Sequence, residues 1–237
     1  MTGLLVEGVT HRWGTKTALD SVSVSVEAGR FCALLGPNGA GKSTLFGLLT
    51  GLFATRAGRI AIAGHDMARS PRAALARMGV VFQQPTIDLD LTVRRNMLYF
   101  AALHGITGAE AGRRADAALD RLGMADRAGE VARALNGGHR RRMEIARALM
   151  HDPSVLLLDE PTVGLDAGTR RALTNHVHDL ACGGLTVLWA THLTDEVRPD
   201  DRLVVLHRGR VLADGLAGEI GGGDLTGRFL EMTGAVA

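Results

Sequence analysis

Gly36-Pro37-Asn38-Gly39-Ala40-Gly41-Lys42-Ser43-Thr44 has the spacing G-x-x-x-x-G-K-S-T, the pattern of a phosphate-binding P-loop. An apolar run, Phe31 to Leu35, precedes it, and a helix-forming run, Ser43 to Leu49, follows it. That strand–loop–helix setting is the context the motif requires. Glycines let backbone N–H groups turn toward an anion with no side chain in the way. Free amides and the dipole at the start of the helix favour a polyphosphate. Lys42 is placed to reach the β- and γ-phosphates, and Ser43 to offer its hydroxyl to Mg²⁺. A glycine-rich turn capping an ordinary helix is the plainer alternative, and it leaves Lys-Ser at this spacing unexplained.

Around this loop, 237 residues with a hydrophobic fraction of 46% suit one α/β domain with room for an inserted lobe. A net charge of +2 makes no case for nucleic acid. Lys16 and Lys42 are the only lysines. Cys32 and Cys182 build no disulfide framework and suit a reducing compartment. Cys32 sits in the apolar strand before the loop and reads as core packing. No basic-then-apolar leader is visible at the start, and no apolar run approaches the ~18 residues of a membrane span. If the protein works on a membrane, another chain supplies the membrane part.

Upstream, residues 4–30 read as β-structure: Val22, Val24 and Val26 alternate with Ser21, Ser23 and Ser25, the period of a half-buried strand. His11-Arg12-Trp13-Gly14 ends an earlier strand. Trp13 is either a core or edge aromatic or a platform for stacking a purine. Downstream, residues 59–63 read as a strand, Pro71 to Arg77 as a short helix with Pro at a suitable first position, and Gly79 to Phe82 as a buried strand stopped near Pro85. From Thr92 to Leu149 the chain reads as helical. Thr92 caps a helix through Leu103, a second runs from Gly108 to Leu122, and a third starts near Gly138. The apolar stretch Met97 to Leu103 fits a buried helix. A contiguous helical block inside an α/β chain suggests a lobe at about 86–152, set in a core of 1–85 and 153–220. The β/α pattern returns with a strand at 155–158, a helix at 167–181, a strand at 185–190 and a hairpin about His207-Arg208-Gly209. Gly221-Gly222-Gly223 reads as a joint, and Asp224 as the cap of a short last helix at 224–232.

The strand Val155 to Leu158 delivers Asp159 and Glu160 at its C-terminal end, where ligands sit in α/β sheets. Asp159 would hold Mg²⁺ directly or through water. Glu160 would polarise a water for attack on the γ-phosphate, or merely cap the next segment. A third site, Leu135-Asn136-Gly137-Gly138-His139, again exposes amides at a helix start. One polyphosphate is not easily cradled end-on by both glycine loops of one compact subunit. A dimer in which each chain lends the second loop to the other's nucleotide resolves this.

These stretches together resemble the ATP-binding subunits of the ATP-binding cassette (ABC) superfamily. Gly36 to Thr44 is similar to Walker A, Val155 to Glu160 to Walker B, and Gln83 to the Q-loop. Leu135 to His139 is similar to the signature loop, Val163-Gly164-Leu165-Asp166 to the D-loop, and His192 to the switch histidine. Trp13 falls where the family places an adenine-stacking aromatic. The resemblance implies a P-loop NTPase (RecA-like) α/β core, an N-terminal antiparallel β portion and an inserted helical lobe. It implies a homodimer sandwiching two Mg·ATP. Trp13, Gly36, Pro37, Asn38, Gly39, Ala40, Gly41, Lys42, Ser43, Thr44, Asn136, Gly137, Gly138 and Asp166 would contact nucleotide, and Ser43, Gln83 and Asp159 would contact Mg²⁺. Glu160 would be the general base, His192 would hold the γ-phosphate, and Gln83 would link the site to the lobe where a permease inserts a helix. The expected place is peripheral, on the cytoplasmic face of the inner membrane. The stretch Pro161 to Asp166 and the helix around Phe229 resemble ABC-2 exporters of the drug-resistance and nodulation type. The signature departs from the family's Leu-Ser-Gly-Gly-Gln at Asn136 and His139. An Asn amide still donates to phosphate, and a protonated His139 would add charge, making turnover pH-sensitive. That variant, running into Arg140-Arg141-Arg142, resembles cassettes beside pyrroloquinoline-quinone-dependent alcohol dehydrogenases.

Competing readings are a soluble cassette, such as the iron–sulfur cluster assembly type, and a non-hydrolysing scaffold, which Glu160 disfavours. DNA-repair cassettes need a long coiled-coil insertion, and translation-factor cassettes need two cassettes per chain. Arg140 to Arg142 read as a solvated or phosphate-facing helix surface rather than a nucleic-acid patch. His176, His178 and Cys182 invite a metal reading, but His176 and His178, two apart on a helix, point to different faces and do not converge on one ion.

Overall fold

The computed structural model describes residues 2–234, and its strands fall into two sheets. β1 (Thr2–Trp13) and β2 (Lys16–Glu27) pair antiparallel. Val22, Val24 and Val26 are buried while Ser21 and Ser23 are exposed, because successive strand side chains face opposite sides. β3 (Phe31–Leu35) is buried throughout and runs into α1 (Lys42–Leu49) through the glycine loop. β4 (Ala57–Ile62) pairs with β1, and the two-residue β5 (His65–Asp66) with β4. These complete a sheet in the order β2-β1-β4-β5. α2 (Pro71–Leu75), with Pro71 at its first turn, leads to β6 (Met78–Val81).

Three helices follow: α3 (Val93–Leu103), α4 (Gly108–Arg121) and α5 (Gly137–Ala148). The Thr92 side chain accepts the Arg95 N–H at the start of α3, satisfying an otherwise orphan amide. α3 is less buried than its composition suggests. Met97 and Ala101 lie in the core, but Tyr99 and Leu103 are 62% and 64% exposed. Only one stripe of the helix faces the lobe, and these two residues, four apart, share the other face.

The chain returns through β7 (Val155–Asp159), α6 (Ala167–Cys182), β8 (Thr186–Thr191), and the hairpin of β9 (Arg202–His207) and β10 (Arg210–Leu216). α7 (Ala217–Gly221) and α8 (Leu225–Thr233) follow. Gly221 closes α7 rather than forming the joint; Gly222 and Gly223, with φ of 54° and 98°, make the turn. Asp224 caps α8 by accepting the Gly227 N–H. The second sheet has the order β10-β9-β3-β8-β7-β6, parallel from β9 to β6, with β10 antiparallel at one edge. One apolar core, with Val24, Leu34, Leu45 and Leu157, lies between the sheets around α1. The other, with Ala33, Leu158, Met143 and Val177, covers the opposite face and continues into the three-helix segment. This is the layered α/β architecture expected of a P-loop core.

Candidate functional site

β3, β8, β7 and β6 are adjacent and parallel, so their C-terminal ends lie side by side. Four sequence-distant stretches therefore meet at one edge: Gly36 after β3, His192 after β8, Asp159-Glu160 at β7, and Phe82-Gln83 after β6. Glycine is required in the loop between β3 and α1. Gly41 has φ of 113°, and a Cβ there would sit 2.8 Å from the Ala18 carbonyl. Gly41 also occupies the N-cap of α1 with no side-chain bond, so the first-turn amides are not taken by a capping oxygen. The loop is braced from behind by the β9–β10 turn, where the Gly209 N–H donates to the Ala40 carbonyl at 2.8 Å.

Glu160 is the hub. It is 7% exposed, with φ of 45°, a left-handed conformation costly for a residue with a Cβ. Its carboxylate lies 3.1 Å from the Lys42 ammonium and 3.4 Å from the Gln83 side-chain nitrogen. His192 Nδ1 lies 3.4 Å away, without hydrogen-bond geometry. Lys42, only 5% exposed, also donates to the carbonyls of Gly36 at 2.6 Å and Pro37 at 3.3 Å. Asp159 is buried, and its Oδ1 has no hydrogen-bond partner. Burial first, then the neighbouring Glu160, pushes its carboxyl up to about 6 against the pull of Lys42, Ser43 and Arg141. A buried, unpartnered carboxylate oxygen beside a serine hydroxyl fits a hard divalent cation, which takes oxygen ligands.

The cleft over these residues holds about 550 Å³ and is lined by the glycine loop with Trp13, Thr17, Gln83, Glu160 and Arg208. Trp13 is 48% exposed and held edge-on by Phe53 and His11, with ring centres 4.8 and 4.7 Å away. Thr17 and Arg208 were not singled out by sequence; both sit at hairpin ends whose approach to the loop only the fold decides. Glu196 was missed too. It is buried and accepts from Trp189 Nε1 at 3.0 Å, from the Thr191 hydroxyl at 2.5 Å and from the Thr162 hydroxyl. It thereby ties the segments after β7 and β8 together.

Asn136, Gly137 and Gly138 do not line this cleft. Asn136 Oδ1 caps α5 by accepting the His139 N–H at 2.9 Å, which leaves its amide N–H₂ as the donor end. Asn136 and Gly137 are exposed. A Cβ on Gly138 would lie 2.5 Å from Thr169, so that glycine lets α5 pack on α6. Asp166, at the N-cap of α6, accepts the Thr169 N–H at 2.9 Å and stands beside this second loop rather than in the cleft. The charge expected on His139 is opposed: burial first, then Arg127 and Arg142, lower its pKa.

Arg141 corrects the reading of a solvated basic run. It is 6% exposed and paired with buried Glu144 at 2.9 Å, because this face of α5 packs on the segment after β6. His178 is buried too, stacked on Phe31 at 3.9 Å and bonded to Asp201 at 3.0 Å.

The chain matches the family model described as ABC transporter over residues 19–163. It is 40% identical over 220 residues to the daunorubicin resistance ATP-binding protein DrrA3 of Streptomyces coeruleorubidus, covering 92% of this chain and 70% of the relative. It is 38% identical to the Nod factor export ATP-binding protein I of Ralstonia nicotianae, covering 92% and 68%. The linearmycin resistance ATP-binding protein LnrL of Bacillus subtilis is 34% identical, covering 90% and 68%. Among solved structures, cbiO1 of Clostridium perfringens, part of the ABC transporter complex cbiONQ, superposes with a TM-score of 0.86 at 29% identity, over 98% of this chain and 95% of that one. The ADP conformation of an ATP-binding cassette of an ABC transporter gives 0.85 at 28% identity, over 98% of each chain.

Proposed function

The chain belongs to the ABC transporter family as an ATP-binding, ATP-hydrolysing subunit, and on that premise we propose that two copies clasp two nucleotides beneath an export permease. The observation that carries this reading is the split of the two anion-facing loops. The glycine loop lines the cleft that holds Glu160, while Asn136 and Gly137 stand exposed outside it. Only a second copy brings Asn136, Gly137, Gly138 and Asp166 to the phosphates.

In this account Trp13 stacks on the adenine. The amides of Gly36 to Thr44 wrap the phosphates, and Lys42 exchanges its bonds to Gly36, Pro37 and Glu160 for the β- and γ-phosphate oxygens. That exchange frees Glu160 to accept the proton of the attacking water. His192 holds the γ-phosphate from the end of β8, and Gln83 orients the water from the end of β6. Ser43, Asp159 and Gln83 would hold Mg²⁺, which when bound neutralises charge developing on the phosphate oxygens.

Export is supported by the relatives' resistance and export roles, and these do not favour the soluble cluster-assembly alternative. Among the described residues no helix is long and apolar enough to cross a membrane. The relatives are named as ATP-binding proteins and the cbiO1 neighbour is one part of a transporter complex, which supports a permease on a separate chain with this subunit peripheral on the cytoplasmic face of the inner membrane. Its docking site is the groove of about 380 Å³ beside Phe82, Thr86, Tyr99, Phe100 and Leu103, in the lobe taken as 86–152. Asn136 and His139 in the signature loop favour, as a second reading, a cassette serving a quinone-dependent dehydrogenase system, tested by whether the neighbouring genes encode such a dehydrogenase.

Two substitutions test the site. Lys42→Ala removes a charge-assisted phosphate contact and should weaken ATP binding about ten- to a hundredfold. Glu160→Gln should keep ATP affinity within about twofold yet lower hydrolysis about 10²- to 10⁴-fold. Wild-type turnover in Glu160→Gln, read by phosphate release, would contradict the assignment.

A further inference from the structure

The segment leaving β6 carries Gln83 but has no regular secondary structure up to Val93. Its main chain is held by side chains of α5. Arg141 donates through Nη1 to the Phe82 carbonyl at 2.8 Å and through Nη2 to the Gln83 carbonyl at 3.0 Å. Glu144 Oε1 accepts the Thr86 N–H at 2.8 Å, and Arg147 Nη1 donates to the Thr86 carbonyl at 2.7 Å. All three residues are at least nine-tenths buried. Residues three apart are neighbours on a helix, so they form one ladder along α5, joined internally by the Arg141–Glu144 pair.

Three buried charges are a costly way to satisfy four backbone groups. Desolvating each charge offsets much of what its bonds return. What charged side chains do better is fix a position. Arg141 is a planar fork that must meet two successive carbonyls and one carboxylate at once, which leaves the segment little freedom. The same helix begins at Gly137, so the second anion-facing loop and the hold on Gln83 are parts of one rigid element. At its other end, Arg147 lines the groove beside Tyr99 and Leu103 and lies over the Phe100 ring at 5.0 Å.

We propose that Arg141, Glu144 and Arg147 are positioning residues that set Gln83 against Glu160 and make the second anion-facing loop, the Gln83 segment and the docking groove move together. The inference rests on the roles proposed above for Gln83 and Glu160. Gln83 Nε2 stands 3.4 Å from Glu160, a distance that a small displacement of its backbone makes or breaks. Misplacement of about 1 Å costs on the order of a hundredfold in rate.

The test uses the full chain. Arg141→Met keeps the stem and removes the fork. It should lower kcat about ten- to a hundredfold while KM for ATP stays within about twofold, since the glycine loop and Trp13 are untouched. Arg141→Lys, a point charge that reaches one carbonyl, should fall between. Amide exchange across 82–88 should quicken in Arg141→Met and stay unchanged in the glycine loop. Wild-type kcat per folded molecule, or unchanged exchange across 82–88, overturns the proposal. If Arg141→Met does not fold, Arg141→Lys decides in the same way: a lowered kcat at constant KM supports it, and wild-type kcat refutes it. Turnover in Glu160→Gln would instead undo the reading of the site. A stalled Glu160→Gln beside a fully active Arg141→Met would undo the ladder alone.

Discussion

His104 and His151 show how far a single ring can be displaced from its ordinary chemistry. The two stack at 4.0 Å and 9°. His151 approaches the Met78 carbonyl through Nε2 at 3.1 Å, while its Nδ1 has no partner. Burial first, then His104, pushes His151 from 6.5 down to about 4; Arg114 acts the same way, and the Met78 carbonyl and Asp152 oppose it. A folded-state value below the unfolded one means the fold holds this ring neutral. Its contribution to stability is complete above about pH 6.5 and is lost as the pH falls toward 4. His151→Gln keeps a donor for Met78 but does not titrate. Its urea midpoint should therefore decline less steeply between pH 6.5 and 4 than that of the wild type, and equal slopes would contradict the assignment. Side chains of this kind are hard to read from sequence. Lys42, Asp159 and Glu160 were legible because a motif fixes their neighbours. Arg141 was misread because a basic run signals a surface until something packs on it.

At the scale of elements, β6 and α5 meet at Gly79. A Cβ there would lie 2.4 Å from the Ala148 carbonyl, main chain that has no rotamer to yield. Gly79→Ala should destabilise the protein by about 1–3 kcal/mol, seen as a lower urea midpoint. It should also slow hydrolysis, because β6 carries Gln83. An unchanged midpoint would show that the strand and helix are not in close contact. Most elements were legible locally. The valine–serine alternation of β2, the caps Thr92 and Asp224, Pro71 opening α2 and the hairpin about Gly209 each have a local physical cause. Two features were not. The half-exposed face of α3 depends on which stripe the lobe covers. The contacts of Arg208 and Glu196 depend on a strand order, β9-β3-β8-β7-β6, and that of Thr17 on how β2 of the other sheet meets the β9–β10 turn; no local pattern encodes either.

For the molecule as a whole, function turns on what completes the nucleotide site. One chain brings the glycine loop, Gln83 and Glu160 into one cleft, with Asp159 beside Glu160 and His192 Nδ1 3.4 Å from it, and holds the Asn136-Gly137 loop outside. On the proposed reading a second copy completes the site, each chain lending its Asn136 loop to the other, as in a two-fold dimer. The most direct measurement is the solution mass of Glu160→Gln with Mg·ATP, set beside the same variant without nucleotide. The expected result is twice the 25.0 kDa of one chain with ATP and one chain's mass without it, the pairing being lost when Gly137 is also changed to a bulky residue. A variant that binds ATP fully and stays at the mass of one chain would contradict the account.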